Sequence, residues 1–211
     1  MKLIDIYAEV TNMVKDRENY FEFKKTSENL LKKLNEAINI ESANAKGGNT
    51  EKMRYKAAKD SLSKDLHRPA LTGSWEEFDK QCFCNGFMGF MLTDKVEGLP
   101  TIPTNIEPLN LTAIFSDISR TPKFEIEFDI KEIKKNLDMA KALSKGPKTI
   151  TSVKEGIFEI GNKYTNIQYV YNALVVLGEK VTVYSDDKST VSPVFLSSEK
   201  GRAIVLPIRK P

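Results

Sequence analysis

The stretch of sequence that decides the fold runs from residue 165 to residue 208. It opens with TNIQYVYNALVVL at 165–177, in which apolar side chains recur at the three- and four-residue spacing of a helix. Gly178 then ends the helical pattern. Three strand-like stretches follow, namely VTVYS at 181–185, VSPVFL at 191–196 and AIVLPI at 203–208. This order predicts an α+β protein with helices packed on one side of curved antiparallel sheets.

The preceding residues show a related pattern. Over 124–128, aromatic and aliphatic residues alternate with glutamates, which predicts a half-buried strand. Asp129, with a glutamate three residues later, resembles a capping box and predicts a helix over 130–145. Residues 157–160 predict another strand. A repeated unit of strand, helix and several strands supports the same α+β class.

The pattern in the amino-terminal part is weaker. It predicts a helix within 1–20, a short strand at 21–23 and a second helix after Thr26. We interpret the polar, lysine-containing segment 41–68 as a solvated surface helix or a mobile insert. Further along, the dipeptide Asn85-Gly86 predicts a hairpin turn between two strands within 81–92.

Proline and glycine residues divide the chain into two halves. Gly98, Pro100, Pro103 and Pro108 lie close together and predict a loop. We therefore expect an amino-terminal half at 1–97 with a polar insert at 41–67, a proline-rich loop or linker at 98–123, and a carboxyl-terminal half at 124–211.

The composition is that of an ordinary globular protein. The 211 residues carry a net charge of only +3, so the distribution of charge matters more than its total. No apolar run approaches the ~18 residues of a membrane span, and Asp5 and Glu9 stand where a secretion signal would be apolar. Cys82 and Cys84 lie too close together for good disulfide geometry. We expect a reduced, cytoplasmic chain that does not associate with membranes.

The residues that catalysis needs are missing from the sequence. His67 is the only histidine, so neither a histidine-based triad nor a two-histidine metal site can form, and we interpret it as a surface or strand-edge residue. Cys82 and Cys84 have no further cysteine or histidine nearby and are a weak metal signal. No glycine-rich turn leads into the Lys-Ser/Thr of a phosphate loop. We expect no catalytic residue, no metal and no cofactor.

Two surfaces remain as candidates for function. On the helix at 130–145, a group of lysines falls within one quadrant away from the apolar stripe, namely Lys131, Lys134, Lys141 and Lys145. Such a face suits contact with phosphates, and it is equally compatible with a solvated lysine-rich surface. The helix at 165–177 has no charged residue and places Tyr169 away from its apolar stripe. That pattern suits a partner groove or a helix between two layers of its own domain.

Several short motifs follow one another towards the carboxyl end. They are IFEIG at 157–161, NIQYV at 166–170, VSPV at 191–194 and AIVLPIR at 203–209. In this order and spacing they resemble the end of bacterial replicative sliding clamps, the DNA polymerase III β-subunit type. A looser similarity covers 30–34, 68–73 and 84–88, where clamps carry Thr-Asp-Gly-aromatic-Arg and this chain lacks the Asp and the Arg. Together the similarity spans roughly 26–93 and 155–210, as in a reduced phage or mobile-element clamp.

The resemblance implies a processivity factor that encircles double-stranded DNA and holds DNA polymerase or other replication proteins by a pocket for short apolar peptides. By position, the pocket residues are Tyr169, Val170, Val191, Pro193, Ile204, Leu206, Ile208 and Arg209. The candidates that face DNA are Lys131, Lys134, Lys141, Lys145 and, more weakly, Lys32. A closed ring also implies a homo-oligomer.

A second hypothesis from another class is a clamp-fold regulator that does not encircle DNA. The pocket residues would then bind a polymerase, a host clamp or another replication protein, and the lysines would serve solubility alone. The mass in solution discriminates between the two, because a ring demands a closed oligomer whereas a regulator can be a monomer.

Overall fold

The computed structural model describes the residues from 49 to 209 with short gaps, and two residues before them. In full, the described residues are Ser27, Leu30, 49–116, 118, 121–143, 156–186 and 188–209. The chain divides into two compact units, Met1–Lys52 and Met53–Pro211. The helix predicted within 1–20 and the strand predicted at 21–23 lie outside the described residues. Ser27 and Leu30, in the second predicted helix, are both helical.

Helices and strands alternate along the described residues. The helices are α1 (Asn49–Asp60), α2 (Leu111–Ser116), α3 (Ile130–Leu143) and α4 (Ile167–Leu177), with a short 3-10 helix at Pro69–Leu71. The strands are β1 (Trp75–Glu77), β2 (Lys80–Cys84), β3 (Met88–Leu92), β4 (Lys123–Glu127), β5 (Ile157–Ile160), β6 (Lys163–Asn166), β7 (Lys180–Tyr184), β8 (Val194–Ser198) and β9 (Gly201–Val205).

Seven of these strands form one sheet in the order β1-β2-β3-β9-β8-β7-β4. Every neighbouring pair is antiparallel. The sheet therefore consists of two three-stranded meanders, β1-β2-β3 and β7-β8-β9, joined where β3 pairs with β9, and β4 extends its far end. Strands β5 and β6 form a separate hairpin. The predicted α+β class, with helices on antiparallel sheet, is confirmed.

The backbones of β3 and β9 approach each other closely at Gly201, which pairs with Leu92. A Cβ atom added to Gly201 would lie 2.5 Å from the carbonyl oxygen of Met91 and 2.7 Å from Cα of Leu92. Its φ angle is +144°, which is a conformation that side chains rarely adopt. Glycine is therefore required at the start of β9.

The main hydrophobic core lies on the face of the sheet that carries α1, α3 and α4. Side chains alternate along each strand, so Ala203 and Val205 of β9 point into this core while Ile204 points to the opposite face. Helix α4 contributes most of the helical side of the core, and its residues Val170, Ala173 and Leu174 are fully buried. The apolar stripe predicted for 130–145 is also buried, through Ile133, Leu137 and Ala140 of α3.

The opposite face of the sheet has a smaller core of its own. Leu111 and Phe115 of α2 pack there against strand residues that include Cys82, Phe195 and Ile204. Part of the segment predicted as a linker, 98–123, therefore covers the sheet, and not every helix lies on one side. Strands from both predicted halves share the seven-stranded sheet, and the division of the chain at 98–123 stays a prediction.

Residues 49–60 differ from the solvated helix or mobile insert that we expected. They form α1, and Tyr55, Ala57 and Ala58 belong to the main core. Arg54 is only 2% exposed and donates from Nε to the carbonyl oxygen of Val176 over 3.1 Å. The same guanidinium forms an ion pair with Asp94, with 2.9 Å between nitrogen and oxygen. The segment was interpreted as solvated because it is rich in charged residues, and arginine is rarely buried. The burial of Arg54 is the reason that this interpretation was wrong.

The elements near the carboxyl end match the prediction, with shifted bounds. Helix α4 begins at Ile167 because Asn166 caps it, with Oδ1 accepting from the backbone N–H of Gln168 over 2.9 Å. Thr165 belongs instead to β6, a strand that the sequence did not predict. The predicted hairpin turn is confirmed by Gly86, whose φ is +90°.

Replacing Arg54 by alanine should destabilise the protein by about 2–3 kcal/mol, because the substitution leaves the carbonyl of Val176 unpaired in the core and removes a charged hydrogen bond. Urea unfolding measures this free energy. The control is Arg68→Ala, which removes an exposed ion pair to Asp65 of 3.7 Å and should cost less than about 0.5 kcal/mol. Equal effects of the two substitutions would contradict the role of Arg54.

Candidate functional site

Helix α3 presents lysines on the side that faces away from its buried stripe. The helix starts at Asp129, whose Oδ1 accepts from the backbone N–H groups of Lys131 and Glu132 over 2.9 and 3.2 Å. Lys131 and Lys141 are exposed and Lys134 is half-buried. The other two predicted DNA-facing lysines, Lys32 and Lys145, lie outside the described residues.

A groove of about 230 Å³ lies between α1, α3 and α4. Three lysines line it, Lys56 from α1 and Lys134 and Lys141 from α3. Its other lining residues are Met53, Ala57, Asp60, Gln168, Tyr171 and Asn172. The groove thus gathers two of the predicted lysines and adds Lys56, which we had assigned to a solvated segment.

The groove combines positive charge with fixed polar groups. The Nζ atom of Lys134 lies 5.6 Å from the centre of the Tyr171 ring, within range of a cation–π interaction, and also pairs with Asp138. Asn172 accepts from Gln168 over 2.7 Å and donates to Ser61 over 3.2 Å. This arrangement can hold phosphate groups by charge and hydrogen bonding without reading bases.

An apolar surface lies where the β2–β3 turn meets the carboxyl-terminal residues. The ring of Phe87 stacks on that of Tyr169 with 6.2 Å between centres and 12° between planes. The backbone N–H of Leu206 donates to the carbonyl oxygen of Phe87 over 2.9 Å. The backbone N–H of Ile208 donates to the carbonyl oxygen of Tyr164 over 2.7 Å. Phe87 is 56% exposed and Leu206 and Ile208 are 36% exposed each. We call Phe87, Tyr169, Leu206 and Ile208 the aromatic surface.

The structure brings together only part of the predicted pocket. Tyr169, Leu206 and Ile208 belong to the aromatic surface. Val170 is fully buried in the main core, and Ile204 lies in the core on the opposite face of the sheet. The remaining predicted residues precede or follow strands: Val191 and Arg209 are exposed, and Pro193 is half-buried.

Phe87 is the residue of the aromatic surface that the sequence did not assign to a site. The sequence did contain a signal, because an aromatic residue directly follows the turn glycine Gly86 and residues at a turn are usually exposed. The turn is held by Asn85, whose Oδ1 accepts from the N–H groups of Phe87 and Met88 over 2.9 Å each. What the sequence could not show is that residues 87 and 169 are neighbours.

The two thiols are buried in the core beneath α2. Burial raises the pKa of Cys82 to about 12 and also raises the pKa of Cys84. Both groups are therefore neutral near pH 7, and a neutral thiol is a poor nucleophile. Among the described residues, no group of three or more His, Cys, Asp or Glu side chains could hold a metal ion. Nor does this part of the chain contain a helix long and apolar enough to cross a membrane.

Comparison with known proteins gives a distant structural similarity. The sequence matches no protein-family model and no curated protein. Among solved structures, the DNA polymerase III β subunit from Thermotoga maritima aligns with 77% of this chain at 15% identity and a TM-score of 0.47. The alignment covers 64% of that protein, so this chain spans less than two thirds of its length. A similarity of this size does not assign a family.

We expect both cysteines to resist alkylation in the folded protein. Because the pKa of Cys82 is about 12, on the order of one Cys82 thiol in ten thousand is ionised at pH 8. Burial also keeps the alkylating reagent away from both sulfur atoms. Iodoacetamide labelling followed by mass spectrometry should therefore be slower by at least about a hundredfold in buffer than in urea. Fast labelling of either thiol without urea would contradict the packing beneath α2.

Proposed function

We propose that the protein is a sliding-clamp-like processivity factor. It binds double-stranded DNA without sequence specificity through the lysines of its helix layer, and it holds a replication protein through the aromatic surface. The observation that carries the proposal is the groove in which Lys56, Lys134 and Lys141 come from two different helices. The motifs at 157–209 that resemble the carboxyl end of bacterial clamps support it.

The DNA part of the proposal rests on charge and not on base recognition. Lysines bind phosphates as point charges, and displacement of counterions from DNA provides the free energy. The lining contains one acidic residue, Asp60, beside its three lysines, and Asp138 next to the groove pairs with Lys134. A single chain offers few such contacts, so its binding should be weak at physiological salt. A ring retains DNA by topology, and a homo-oligomer is therefore part of the proposal.

The proposed binding of a replication protein rests on the exposed rings and aliphatic side chains of the aromatic surface. An apolar peptide that buries one aromatic and one leucine anchor there gains about 1.5–3 kcal/mol per side chain. The loss of translational and rotational freedom offsets part of this gain, so the expected affinity is about micromolar. Arg209 follows Ile208 and could attract an acidic group of the peptide.

Reversing the charge of Lys131, Lys134 and Lys141 to glutamate should lower DNA retention and reduce the salt slope of binding by about three units, one for each phosphate contact. Retention on circular and linear duplexes, measured between low and physiological salt, provides the test. A ring should stay on the circle and slide off the linear end.

The matched control reverses Lys64, Lys123 and Lys188, three exposed lysines outside the described helices. It makes the same change in net charge and should leave the salt slope nearly unchanged. If both triple variants behave alike, the lysines contribute only general charge, and the alternative of a clamp-fold regulator that does not encircle DNA gains support.

Leu206→Asp should weaken binding of a peptide with leucine and phenylalanine anchors by at least tenfold, because it places a charge in the aromatic surface. Calorimetry gives the affinity, and circular dichroism confirms that the variant is folded. The control is Leu109→Asp, which changes an exposed leucine elsewhere and should leave this affinity unchanged. Unaltered binding by folded Leu206→Asp would show that the peptide site lies elsewhere.

A further inference from the structure

A lysine at the start of β6 is completely buried. Lys163 is 0% exposed. Its Nζ atom donates to the hydroxyl oxygen of Ser185 over 2.7 Å and to the side-chain oxygen of Asn162 over 3.2 Å. It also donates to the backbone carbonyl oxygen of Asp186. An ammonium group has three donors, and these three oxygen atoms can accept all of them.

The burial of this ammonium group favours a role in positioning over a role in filling space. A charged group is costly to remove from water, and hydrogen bonds offset that cost only when the geometry is good. An unbranched apolar side chain could fill the same space at a lower desolvation cost. What a fully hydrogen-bonded lysine adds is one fixed arrangement of the groups that it joins.

The contacts of Lys163 connect two different sheets. Lys163 belongs to the β5–β6 hairpin, whereas Ser185 follows the last residue of β7 in the seven-stranded sheet. Ser185 is itself fully buried, and its backbone N–H donates to the carbonyl oxygen of Pro122, just before β4, over 3.0 Å. The first residue of β6 is therefore tied to a point that is held between β7 and β4.

Two further residues of β6 hold parts of the aromatic surface. Tyr164 accepts from the backbone N–H of Ile208 over 2.7 Å through its carbonyl oxygen. Asn166 caps α4 by accepting from the backbone N–H of Gln168 over 2.9 Å, one residue before Tyr169. Two of the four residues of the aromatic surface are therefore positioned through β6, the strand that begins with the buried lysine.

We propose that Lys163 is a positioning residue for the aromatic surface. The proposal rests on the proposed binding of an apolar peptide there, and it adds the group that keeps the site preformed. Without the ammonium group, β6 loses a tie to the large sheet, and Tyr169 and Ile208 lose part of their fixed separation. A site that must be ordered at the moment of binding has a lower affinity than a preformed one.

The test replaces Lys163 by methionine in the full chain, which keeps an unbranched side chain and removes the three donors. Lys163→Met should weaken binding of the peptide with leucine and phenylalanine anchors by at least about tenfold in calorimetry. Hydrogen exchange followed by mass spectrometry should show faster exchange in the fragment that contains the backbone N–H of Ile208. Circular dichroism confirms that the variant is folded.

The matched control is Arg54→Ala, which also removes a buried cation that donates to backbone carbonyl oxygens. Its acceptor Val176 lies near the end of α4 that is far from Tyr169 in the sequence. Arg54→Ala should lower the stability of the protein and leave both the peptide affinity and the exchange at Ile208 unchanged. Equal losses of affinity in the two variants would show general destabilisation and would overturn the proposal.

A second variant keeps the test decisive if Lys163→Met does not fold. Ser185→Ala removes one of the three acceptors and should produce the same two changes to a smaller extent. If Leu206→Asp weakens the peptide and a folded Lys163→Met or Ser185→Ala variant does not, the role of Lys163 is refuted. If Leu206→Asp has no effect, the proposed peptide site fails instead, and the exchange at Ile208 alone decides whether Lys163 positions the surface.

Discussion

The pairing of β3 with β9 is the interaction on which the rest of the structure depends. It joins the meander β1-β2-β3 to the meander β7-β8-β9 and its edge strand β4, which would otherwise form separate sheets of three and four strands. Helix α1 precedes the first meander and α4 precedes the second, and both pack in one core on the same face of the joined sheet. The close approach at Gly201 makes the junction sensitive to any side chain at that position. Both faces of the joined sheet are then covered, by three helices on one side and by α2 on the other.

The two faces of the sheet position surfaces of different character. The helix layer carries the lysine-lined groove, whereas the β1–β2 hairpin and the start of α2 carry acidic and apolar residues. The lysines of the groove and the carboxylates of the β1–β2 hairpin therefore lie on different elements, which the net charge of +3 does not reveal.

The carboxyl-terminal part could be predicted because local signals and packing agree there. The uncharged pattern of α4, its glycine end and the alternating strands all indicated the observed elements. A helix was one of the two interpretations of 41–68, but its burial could not be predicted, since the burial of Arg54 depends on Val176 and Asp94, which are distant in sequence. Long-range packing also separates Val170 from Ile204, which we had assigned to one pocket. The structure places them in two different cores, and sequence position does not reveal this.

The order of the strands also has a consequence for biosynthesis. Strand β3 is made more than a hundred residues before its partner β9, and all five of its residues are buried in the finished sheet. During translation its outer edge therefore exposes unpaired backbone groups beside apolar side chains, which is the condition that promotes aggregation of incomplete chains. The first meander is therefore complete as a folded sheet edge only once β9 has been synthesised, so the aggregation risk falls on the incomplete chain and not on the finished protein.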